Sequence, residues 1–596
     1  MNIIKKLLQS VREFKGVSLL TPLFMVGEVV MEVIIPLLMA KLVDDGISGN
    51  NGDGDMSVIL LIGGALAVCC LISLAFGFAG ARTGAKAAMG FARNLRKDMY
   101  YRIQGFSFSN IDKFSTASLV TRLTSDVTRV QDAYQMILRI AVRAPIMMIF
   151  SLIMAFVINV ELSLVFVSVI PILAIGMILI MRTAHPVFER VFKRYDDLNN
   201  VVQENVSGMR VVKAFVREEY EIQKFRKISG DIYNDFSFAE KVLAFNNPLM
   251  QFCAYGGMIA ISWIGANLIV IDGTLTTGEL MSMTTYAMQI LMNLMMLSMI
   301  FVMVTMSRAS AQRICEVLNE ESDITDPASP AGEVADGSIE FRNVRFEYKK
   351  GSGKYALSDI DLSIKSGETV GIIGGTGSSK STLVQLIPRL YDVSEGSVLV
   401  GGKDVREYDI ETLRDAVAMV LQKNTLFSGT IKDNLQWGKL DATDEEMIEA
   451  CRLAQADPFI QEFPDKYDTY IEQDGTNVSG GQKQRLCIAR ALMKHPKILI
   501  LDDSTSAVDT ATDAKIRKAF REKIPNTTKL IIAQRISSVM DADKIIVLDG
   551  GKVMNVGTHD ELMETSPIYR EVYESQQRGS ESVDEVSATL EKGSEG

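Results

Sequence analysis

Residues 477–503 read NVSGGQKQRLCIARALMKHPKILILDD, and this stretch decides the fold of the C-terminal half of the chain. Its last part, Ile498–Asp502, is an apolar strand that closes on two adjacent carboxylates, Asp502 and Asp503. In α/β proteins that bind phosphates, a carboxylate in this position serves the metal ion that accompanies the phosphates. A chain with such a strand is therefore expected to carry a phosphate-binding loop as well.

That loop lies at residues 374–381, GGTGSSKS, between a predicted strand and a predicted helix. It fits the P-loop pattern G-x-x-x-x-G-K-[ST] with one departure, because Ser379 stands in place of the second glycine. Backbone N–H groups of such a loop surround the phosphates, Lys380 reaches the β- and γ-phosphates, and the Ser381 hydroxyl ligates Mg²⁺. The predicted nucleotide-binding residues are Gly374, Gly375, Thr376, Gly377, Ser378, Ser379, Lys380, Ser381 and Thr382.

Length and composition divide the chain into two different halves. The 596 residues are too many for one domain. Long apolar runs dominate up to about Arg308, whereas the sequence beyond about Gly337 is typical of a soluble α/β protein. The net charge of −11 and the lack of a basic tract argue against nucleic acid as a partner. The six cysteines show no metal-ligand spacing and indicate a reducing compartment.

The apolar half predicts six membrane spans of about 20 residues or more each. They cover residues 17–43, 58–81, 138–158, 162–182, 246–271 and 279–306. The short connections between spans contain no Lys or Arg, whereas the long connections are rich in both. The positive-inside rule therefore places the N-terminus, both long loops and the C-terminal half in the cytoplasm of a multi-pass cell-membrane protein.

The two long cytoplasmic connections are predicted to be helical extensions of the spans. Each is expected to turn far from the membrane, near Phe108–Lys113 in the first and near Val216–Glu221 in the second. The complete predicted organisation is an amphipathic interfacial helix (1–16), a transmembrane domain (17–320), a linker (321–337), a nucleotide-binding domain (338–575) and an acidic disordered tail (576–596). Residues 1–16 could equally form an ordinary packing helix.

Charged residues within the spans allow two interpretations. Glu28 and Glu32 share one face of the first span, and Arg139 and Arg143 share one face near the start of the third. Charges inside a membrane face either a partner or a watery cavity. They therefore either line a polar substrate path or form Glu–Arg pairs that hold the helices together.

The sixth span carries a stripe of methionines beside a polar stripe. The methionines are Met288, Met292, Met295, Met299, Met303 and Met306, and the polar residues are Tyr286, Gln289 and Asn293. Methionine surfaces adapt to varied apolar ligands, which suits a substrate cavity. The same stripe would also suit plain packing or lipid contact.

The motifs together resemble those of the ATP-binding cassette (ABC) transporters, and specifically of exporter half-transporters. Residues 478–482, Val478, Ser479, Gly480, Gly481 and Gln482, are similar to the family's LSGGQ signature with valine for leucine. Tyr348 matches the adenine-stacking A-loop, Gln422 the Q-loop and Asp509 the end of the D-loop. The resemblance implies an all-α domain of six spans with long helical extensions, followed by an α/β P-loop cassette.

The resemblance also implies how the site works. In the family, cassettes pair head to tail, so that one chain's signature completes the other chain's ATP site. Ser381, Gln422 and Asp502 would hold Mg²⁺, and the two deep loop turns would be coupling helices that seat on the cassettes. The catalytic positions would be Asp503, Gln534 and Gln422.

Two of these catalytic positions depart from the family pattern. Asp503 stands where glutamate is usual, and Gln534 stands where histidine is usual. The shorter acid is drawn back by about 1.5 Å, roughly one bond's reach, and glutamine carries no charge. The chain is therefore expected to bind Mg-ATP but to hydrolyse it slowly, as one subunit of a heterodimer. It resembles the degenerate-site half of heterodimeric bacterial multidrug exporters, which move amphipathic small molecules.

Three alternatives remain open from the sequence. The first is a homodimer with two slow sites, and the second is a lipid or peptide exporter with the same ATP-driven machinery. The third is a regulatory or channel-like ABC protein, in which the nucleotide gates a path and does not drive uphill transport.

Overall fold

The computed structural model describes residues 3–49, 54–504 and 508–577. The chain divides into a helical unit, residues 1–104 and 116–320, and an α/β unit, residues 105–115 and 321–596. The predicted fold class, a helical membrane domain followed by an α/β nucleotide-binding domain, is confirmed.

The helical unit consists of long helices joined by short turns. Its helices are α1 (Ile3–Leu8), α2 (Lys15–Lys41), α3 (Met56–Gln104), α5 (Thr116–Thr121), α6 (Val127–Ile158), α7 (Val160–Ser207), α8 (Met209–Ala214), α9 (Glu218–Ala244), α10 (Asn246–Val270) and α11 (Thr277–Asn319), with α4 (Phe108–Lys113) in the α/β unit. A 3₁₀ helix (Gln9–Phe14) and two π-helical stretches (Leu42–Ser48, Arg122–Asp126) connect consecutive helices.

The six predicted spans lie in six helical segments that are long and apolar enough to cross a membrane. These segments contain 43–53 residues, so at about 1.5 Å per residue they extend well beyond a hydrocarbon core about 30 Å thick. The most apolar stretch of α3 contains no residue that is buried inside the chain. Such an apolar surface needs lipid or another chain to cover it.

One of the two predicted loop turns is wrong in its position. The first, Phe108–Lys113, coincides with helix α4, whose Ser107 cap satisfies the first turn. In the second loop the short separate helix is α8 (Met209–Ala214), and residues 218–221 already belong to the long helix α9. Gly208 breaks the helix earlier than expected, because it ends α7 and directly precedes α8.

A buried ion pair joins the π-helical stretch Arg122–Asp126, which precedes α6, to helix α11. The Asp126 side chain is 1% exposed, and both its oxygens accept hydrogen bonds from the Arg313 guanidinium. The Ser310 hydroxyl donates a further bond to Asp126 at 2.8 Å. Nearby, Arg122 forms an ion pair with Glu316 at 3.1 Å. These contacts fix the register of the two helices.

The α/β unit contains two main sheets. A four-stranded antiparallel sheet has the order β2 (Leu357–Ile364), β1 (Ile339–Phe346), β4 (Glu395–Val400), β5 (Lys403–Asp404). A six-stranded sheet has the order β12 (Lys552–Gly557), β11 (Lys544–Asp549), β3 (Thr369–Gly374), β10 (Thr528–Ile532), β9 (Ile498–Asp502), β6 (Val417–Val420), and only β12 is antiparallel. A small ribbon pairs β7 (Gly429–Thr430) with β8 (Tyr470–Ile471).

Among the described residues, eight helices belong to this unit besides α4. They are α12 (Lys380–Gln385), α13 (Ile410–Ala416), α14 (Ile431–Gln436), α15 (Asp444–Leu453), α16 (Asp457–Glu462), α17 (Gly480–Leu492), α18 (Thr510–Lys523) and α19 (His559–Thr565). Beyond them, residues 567–577 are also helical. The parallel strands are buried on both faces, which explains their near-continuous apolar sequences.

The order of the parallel strands positions the functional loops. The strands β3, β10, β9 and β6 are neighbours, with Ile532 of β10 opposite both Ile372 and Asp502. Because parallel strands end at the same edge of a sheet, the segments that follow them meet there. The P-loop, the Asp502–Asp503 pair, Gln534 and the Q-loop therefore share one edge.

Three of the predicted domain boundaries need correction. Residues 321–337 are not a free linker, because Val334 is buried and Ala331 bridges to Tyr408 within the α/β unit. The N-terminal segment is not one helix, since Arg12 interrupts it with a φ of 42°. Residues 576–577 are helical and not part of a tail, and residues 578–596 lie outside the described residues.

The N-terminal segment also packs inside the helical unit. Leu7 and Val11 are buried, whereas Ile4 and Leu8 are exposed. The Arg12 guanidinium pairs with Asp98 at 2.7 Å. The contacts favour the packing-helix interpretation for one face of this segment and leave Ile4 and Leu8 for a membrane surface.

Candidate nucleotide-binding site and membrane cavity

The P-loop follows strand β3 and leads into helix α12. The Lys380 ammonium donates hydrogen bonds to the carbonyl oxygens of Gly374 (2.8 Å) and Gly375 (2.9 Å), so it folds back over the loop. Burial lowers the pKa of Lys380, and the carboxylates of Asp503 and Asp502 counteract that shift. The lysine therefore lies inside the loop that would surround a phosphate chain.

Ser379 explains why the P-loop pattern prefers glycine at this position. Its backbone has φ 69° and ψ 27°, which is the left-handed region. An L-residue pays about 1–2 kcal/mol for this conformation, which glycine adopts freely. The serine keeps the loop geometry at the cost of local strain.

Replacing Ser379 with glycine is expected to stabilise the α/β unit. The relieved strain exceeds the extra entropy of glycine in the unfolded chain, which leaves a net gain of about 0.5–1 kcal/mol. Thermal unfolding of the purified chain should show a midpoint higher by about 1–3 °C. The matched change Ser363→Gly lies in strand β2, where φ is ordinary, and should lower the midpoint. An unchanged or lower midpoint for Ser379→Gly would contradict the strain argument.

Ser381 and Asp502 form the predicted metal-binding pair. The Ser381 hydroxyl donates to Asp502 Oδ1 at 2.8 Å, and Asp502 is only 2% exposed. Burial raises the pKa of Asp502 above its ordinary value, and the Ser381 hydrogen bond partly offsets this. Hard oxygen donors at the edge of a phosphate-binding loop fit Mg²⁺, which takes one or two protein ligands together with phosphate oxygens and water.

The two residues that depart from the family pattern are bonded to one another. The Gln534 amide donates to Asp503 Oδ2 at 2.7 Å, and a hydrogen bond from Gln422 also helps to stabilise the ionised Asp503. Burial nevertheless raises the pKa of Asp503. The sequence placed these three residues in separate motifs, and the structure brings all three to one carboxylate.

The backbone conformation at Asp503 gives a physical reason for an aspartate at this position. Its φ is 47°, in the left-handed region, which Asp and Asn adopt several times more often than most residues. The conformation is held by a hydrogen bond from the Asp503 N–H to the Ile532 carbonyl, 3.1 Å. The backbone conformation at this position therefore favours aspartate or asparagine over most other residues.

The switch loop at Gln534 has a support that the sequence did not reveal. The Gln576 side chain accepts from the Ile536 N–H at 2.9 Å and donates to the Gln534 carbonyl at 2.8 Å. The two bonds hold the backbone on either side of Arg535. A glutamine this far along the chain carries no sequence signal for such a role.

Tyr348 presents an open aromatic face near the P-loop. It is 53% exposed, and its hydroxyl shares a 2.8 Å hydrogen bond with the Thr382 hydroxyl in helix α12. Its ring edge packs against Phe346 and Tyr391. The tyrosine is therefore fixed on one side and free for base stacking on the other.

The signature residues lie at the start of helix α17. Ser479 caps this helix, since its N–H donates to the Gln482 side chain at 2.9 Å and its hydroxyl accepts from the Gln482 N–H at 3.3 Å. Gly480 is exposed, Gly481 is partly exposed, and Val478 packs against the core. The first N–H groups of a helix lack an intrahelical acceptor and can bind an anion.

Asp509, at the end of the D-loop, is also a helix cap. Its side chain accepts from the Thr512 N–H at 2.9 Å at the start of α18. That hydrogen bond holds the pKa of Asp509 below its ordinary value. The structure thus gathers the P-loop, Asp502, Asp503, Gln422 and Gln534 into one site, while the Ser479 and Gln482 side chains each accept a hydrogen bond from the other residue's backbone N–H.

The helical unit contains a cavity of about 480 Å³ that includes part of both predicted stripes. Arg143 pairs with Glu32 at 2.7 Å, and each side chain is about a quarter exposed, at 25% and 27%. Met147, Met288 and Met292 line the same cavity, together with Gln289 and Asn293. The pairing interpretation is thus confirmed for Glu32 and Arg143, and because both residues also line the cavity, their place on a substrate path stays a prediction.

Other residues of these groups lie elsewhere. Tyr286 is fully buried and donates to the Val33 carbonyl at 2.6 Å, so its place in the polar stripe is structural. Glu28 is not among the cavity-lining residues and lies next to Gly77 of α3. Met295, Met299 and Met306 are exposed in the single chain, and Met303 is half-buried.

Two family models match the chain in the order of its two domains. Residues 19–313 match the ABC transporter transmembrane region, and residues 357–506 match the ABC transporter ATP-binding domain. A bacterial Atm1-family ABC exporter with ATP bound has a similar fold, with a TM-score of 0.79 over 95% of this chain and 98% of that chain. At 24% identity this likeness concerns the fold alone.

Curated relatives align with most or nearly all of the length of this chain. The uncharacterized ABC transporter ATP-binding protein YfiB of Bacillus subtilis is 36% identical over 97% of this chain and 100% of its own. The ATP-dependent lipid A-core flippase of Desulfotalea psychrophila is 33% identical, with 81% and 84% covered. The putative multidrug export ATP-binding/permease protein YgaD of B. subtilis is 31% identical, with 96% and 99% covered.

Proposed function

The chain belongs to the ABC transporter family, as an exporter half-transporter, and on that premise we propose that it is one subunit of a heterodimeric bacterial multidrug exporter. Its ATP-binding domain makes it an ATPase-coupled transporter, and its six apolar helical segments make it a multi-pass membrane protein. Beyond family membership, we propose the substrate class, the unequal ATP sites, the partner subunit and the orientation of the chain in the membrane.

The contact between Gln534 and Asp503 carries the proposal of unequal sites. A neutral amide at 2.7 Å occupies one oxygen of the carboxylate that would have to polarise the attacking water. The carboxylate also reaches about 1.5 Å less far than a glutamate would. A positioned base contributes about 10²–10⁴-fold, and a displacement of about 1 Å can forfeit about 10²-fold. ATP bound here is therefore retained longer than it would be at a complete site.

The intact signature supports the proposal of a partner. Ser479 and Gln482 cap a 13-residue helix whose first two residues, Gly480 and Gly481, are exposed and partly exposed. In the proposed heterodimer the first N–H groups of this helix bind the γ-phosphate of ATP held by the partner's Walker motifs. The partner would carry the glutamate and histidine that this chain lacks, so that hydrolysis takes place mainly at the partner's site.

Within this chain, each polar group has a defined task in the proposed site. Lys380 and the P-loop N–H groups would bind the phosphates, while Ser381, Asp502 and Gln422 would hold Mg²⁺ near the γ-phosphate. The ion would neutralise phosphate charge. Tyr348 would stack on the adenine, and Gln534 would hold Asp503 in place without supplying a charge.

The proposed transport cycle is alternating access. ATP at both interfaces closes the two cassettes, and the loop segments at residues 105–115 and 208–217 transmit closure to the spans. The N-terminus and the cassette are cytoplasmic in this proposal, because ATP is there and because Lys and Arg concentrate in the long loops. Hydrolysis at the partner's site then reopens the cavity to the cytoplasm.

The residues that line the cavity favour amphipathic small molecules as the proposed substrates. Its wall combines methionines with the Glu32–Arg143 pair, so it offers both adaptable apolar contacts and polar partners. The similarity to a putative multidrug exporter favours this class, and the similarity to a lipid A-core flippase favours a lipid substrate as the alternative.

A vesicle assay distinguishes these substrate classes. Inside-out vesicles that contain the chain and its partner should accumulate a cationic amphipathic dye against its gradient when ATP is added. Vesicles with Lys380→Ala in this chain and the equivalent change in the partner serve as the control. Flipping of a fluorescent phospholipid without dye uptake would support the lipid alternative, and dissipation of gradients without uphill uptake would support a channel-like protein.

Replacing Glu32 with glutamine is expected to lower dye uptake in this assay about tenfold, because it leaves the Arg143 charge unpaired beside a membrane cavity. The charge-reversed pair Glu32→Arg with Arg143→Glu should recover most of the uptake, since it restores the ion pair in the opposite sense. Glu522→Gln breaks an exposed ion pair with Lys518 in helix α18, outside the spans, and should leave uptake unchanged. Equal loss in the single variant and in the reversed pair would contradict a pairing role.

A further inference from the structure

Tyr391 connects the nucleotide site to the segment 105–115 through a group of aromatic rings. Its ring centre lies 5.4 Å from that of Tyr348, nearly perpendicular at 87°, and 5.6 Å from that of Phe346. On its other side it lies 6.0 Å from Phe108, the first residue of α4, at 69°. Edge-to-face pairs of this kind are favourable and prefer defined orientations. The four rings therefore form a continuous contact from the proposed base-binding face to α4.

A hydrogen bond strengthens the last step of this contact. The Tyr391 hydroxyl donates to Asp112 Oδ2 at 2.6 Å, and Tyr391 is only 9% exposed. Burial, together with the carboxylate of Asp112, raises the pKa of Tyr391, so the hydroxyl keeps its proton and remains a donor. The hydrogen bond is partly buried, and a hydrogen bond to a charged group is stronger than one between neutral groups. The positions of the Asp112 carboxylate and the Tyr391 side chain are therefore coupled.

A second attachment of the same segment does not involve the nucleotide site. The hydroxyls of Ser107 and Ser109 both donate to Asp323 Oδ1, at 2.5 and 2.8 Å. These bonds connect the start of α4 to the residues that follow helix α11. The segment thus has anchors at Asp323 and at the Glu321 carbonyl, and another at Tyr391, whose ring packs against Tyr348 of the proposed ATP site.

We propose that Tyr391 is a positioning residue that transmits occupancy by the adenine base, and not by the phosphates alone, from Tyr348 to segment 105–115. A purine stacked on the open face of Tyr348 restricts that ring, whose hydroxyl is already held by Thr382. The perpendicular contact then restricts Tyr391, and its hydrogen bond restricts Asp112. A chain of inorganic phosphates could fill the P-loop without stacking on the Tyr348 ring.

The inference rests on the proposed function, because a site that retains its ATP can act only through binding. Covalently, segment 105–115 joins helix α3 to helix α5. Ordering this segment on base binding would let a slow site influence the helical unit without turnover. The ligand class is a purine nucleotide, and inorganic tripolyphosphate is the matching ligand without a base.

Hydrogen–deuterium exchange of the full-length chain tests the inference. The protein is purified in lipid nanodiscs together with any half-transporter that accompanies it, and exchange is followed in peptides that cover residues 105–115. Mg-ATP and Mg-tripolyphosphate are compared at saturating concentration. Tyr391→Phe removes the hydroxyl and keeps the ring. Tyr467→Phe is the matched control, because Tyr467 is 8% exposed and its hydroxyl donates to Asp457 at 2.8 Å elsewhere in the same unit.

Mg-ATP is expected to slow exchange in segment 105–115 about tenfold in the unchanged protein and in Tyr467→Phe, which corresponds to one hydrogen bond to a charged group. Tripolyphosphate should slow it less than about twofold, and so should Mg-ATP in Tyr391→Phe, with the ATP dissociation constant changed by less than about threefold. Full protection in Tyr391→Phe, equal protection by tripolyphosphate, or equal loss in both variants would overturn the inference. Rapid ATP turnover by the lone chain would refute the unequal sites and leave this exchange result unaffected.

Discussion

Replacing Asp503 with glutamate and Gln534 with histidine together is expected to raise ATP turnover at this chain's own Walker site by about 10²-fold. Glutamate restores the missing reach toward the attacking water, and histidine supplies a group that can carry charge at the γ-phosphate. Either change alone should have a modest effect. The two side chains contact one another at 2.7 Å, so each restored group needs the other to leave its present position.

Turnover at this site has to be measured with the partner's site silenced. The chain is co-purified with its partner, whose catalytic glutamate is replaced by glutamine, and phosphate release is followed with and without the double change. That partner substitution alone should abolish nearly all turnover. The control Asp457→Glu with Gln461→His makes the same chemical changes at a hydrogen-bonded Asp–Gln pair outside the P-loop site. It should change nothing.

Two results would contradict unequal sites. The lone, unmodified chain could hydrolyse ATP as fast as the pair, which would indicate a competent homodimer. Alternatively, the double variant could turn over no faster than the Asp457 and Gln461 control. In that case Asp503 and Gln534 would not be the residues that limit turnover at this site.

Replacing Asp502 with asparagine is expected to remove most of the Mg²⁺ dependence of ATP binding, with a loss in affinity of about 10–100-fold in the presence of Mg²⁺. The Ser381 hydroxyl donates a hydrogen bond to Asp502 Oδ1 at 2.8 Å, so the two oxygens lie close enough to share one cation. Asparagine keeps the shape but cannot supply the negative charge that a divalent cation requires.

The neighbouring aspartate provides the matched control for this measurement. Asp503→Asn changes the same atom types one residue later and should leave Mg-ATP affinity within about threefold, because its carboxylate is bonded to Gln534 and not to Ser381. Titration calorimetry in Mg²⁺ and in EDTA measures both variants. Equal losses in the two variants would show that the pair acts only through its joint charge.

The pH dependence of the same binding has a defined sign. Burial raises the pKa of Asp502, and Mg²⁺ binds the ionised form. Acidification should therefore weaken Mg-ATP binding at a higher pH than it would for an ordinary carboxyl group. This pH dependence should be absent from Asp502→Asn, which has no proton to release there.

The sequence alone was enough to predict the structural elements that depend only on residues close together in the chain. Six long apolar segments predict six spans, because the hydrocarbon core accepts only backbone that satisfies its own hydrogen bonds. Residues 374–381 and Ile498–Asp502 likewise identify a P-loop and its carboxylate strand, and the strand has the predicted bounds. The bounds of α4 also agree with the predicted turn.

Contacts between residues far apart in the chain were decided only by the tertiary structure. The strand order inserts β10 between β3 and β9, which brings Gln534 to Asp503 and gives the two departures from the family pattern a common explanation. Packing also makes residues 105–115 part of the α/β unit and brings Asp112 to Tyr391. Periodicity and motif spacing indicate the local backbone conformation of each segment. Which side chains meet depends on the balance of burial and hydrogen bonding over the folded chain, which no single stretch of sequence encodes.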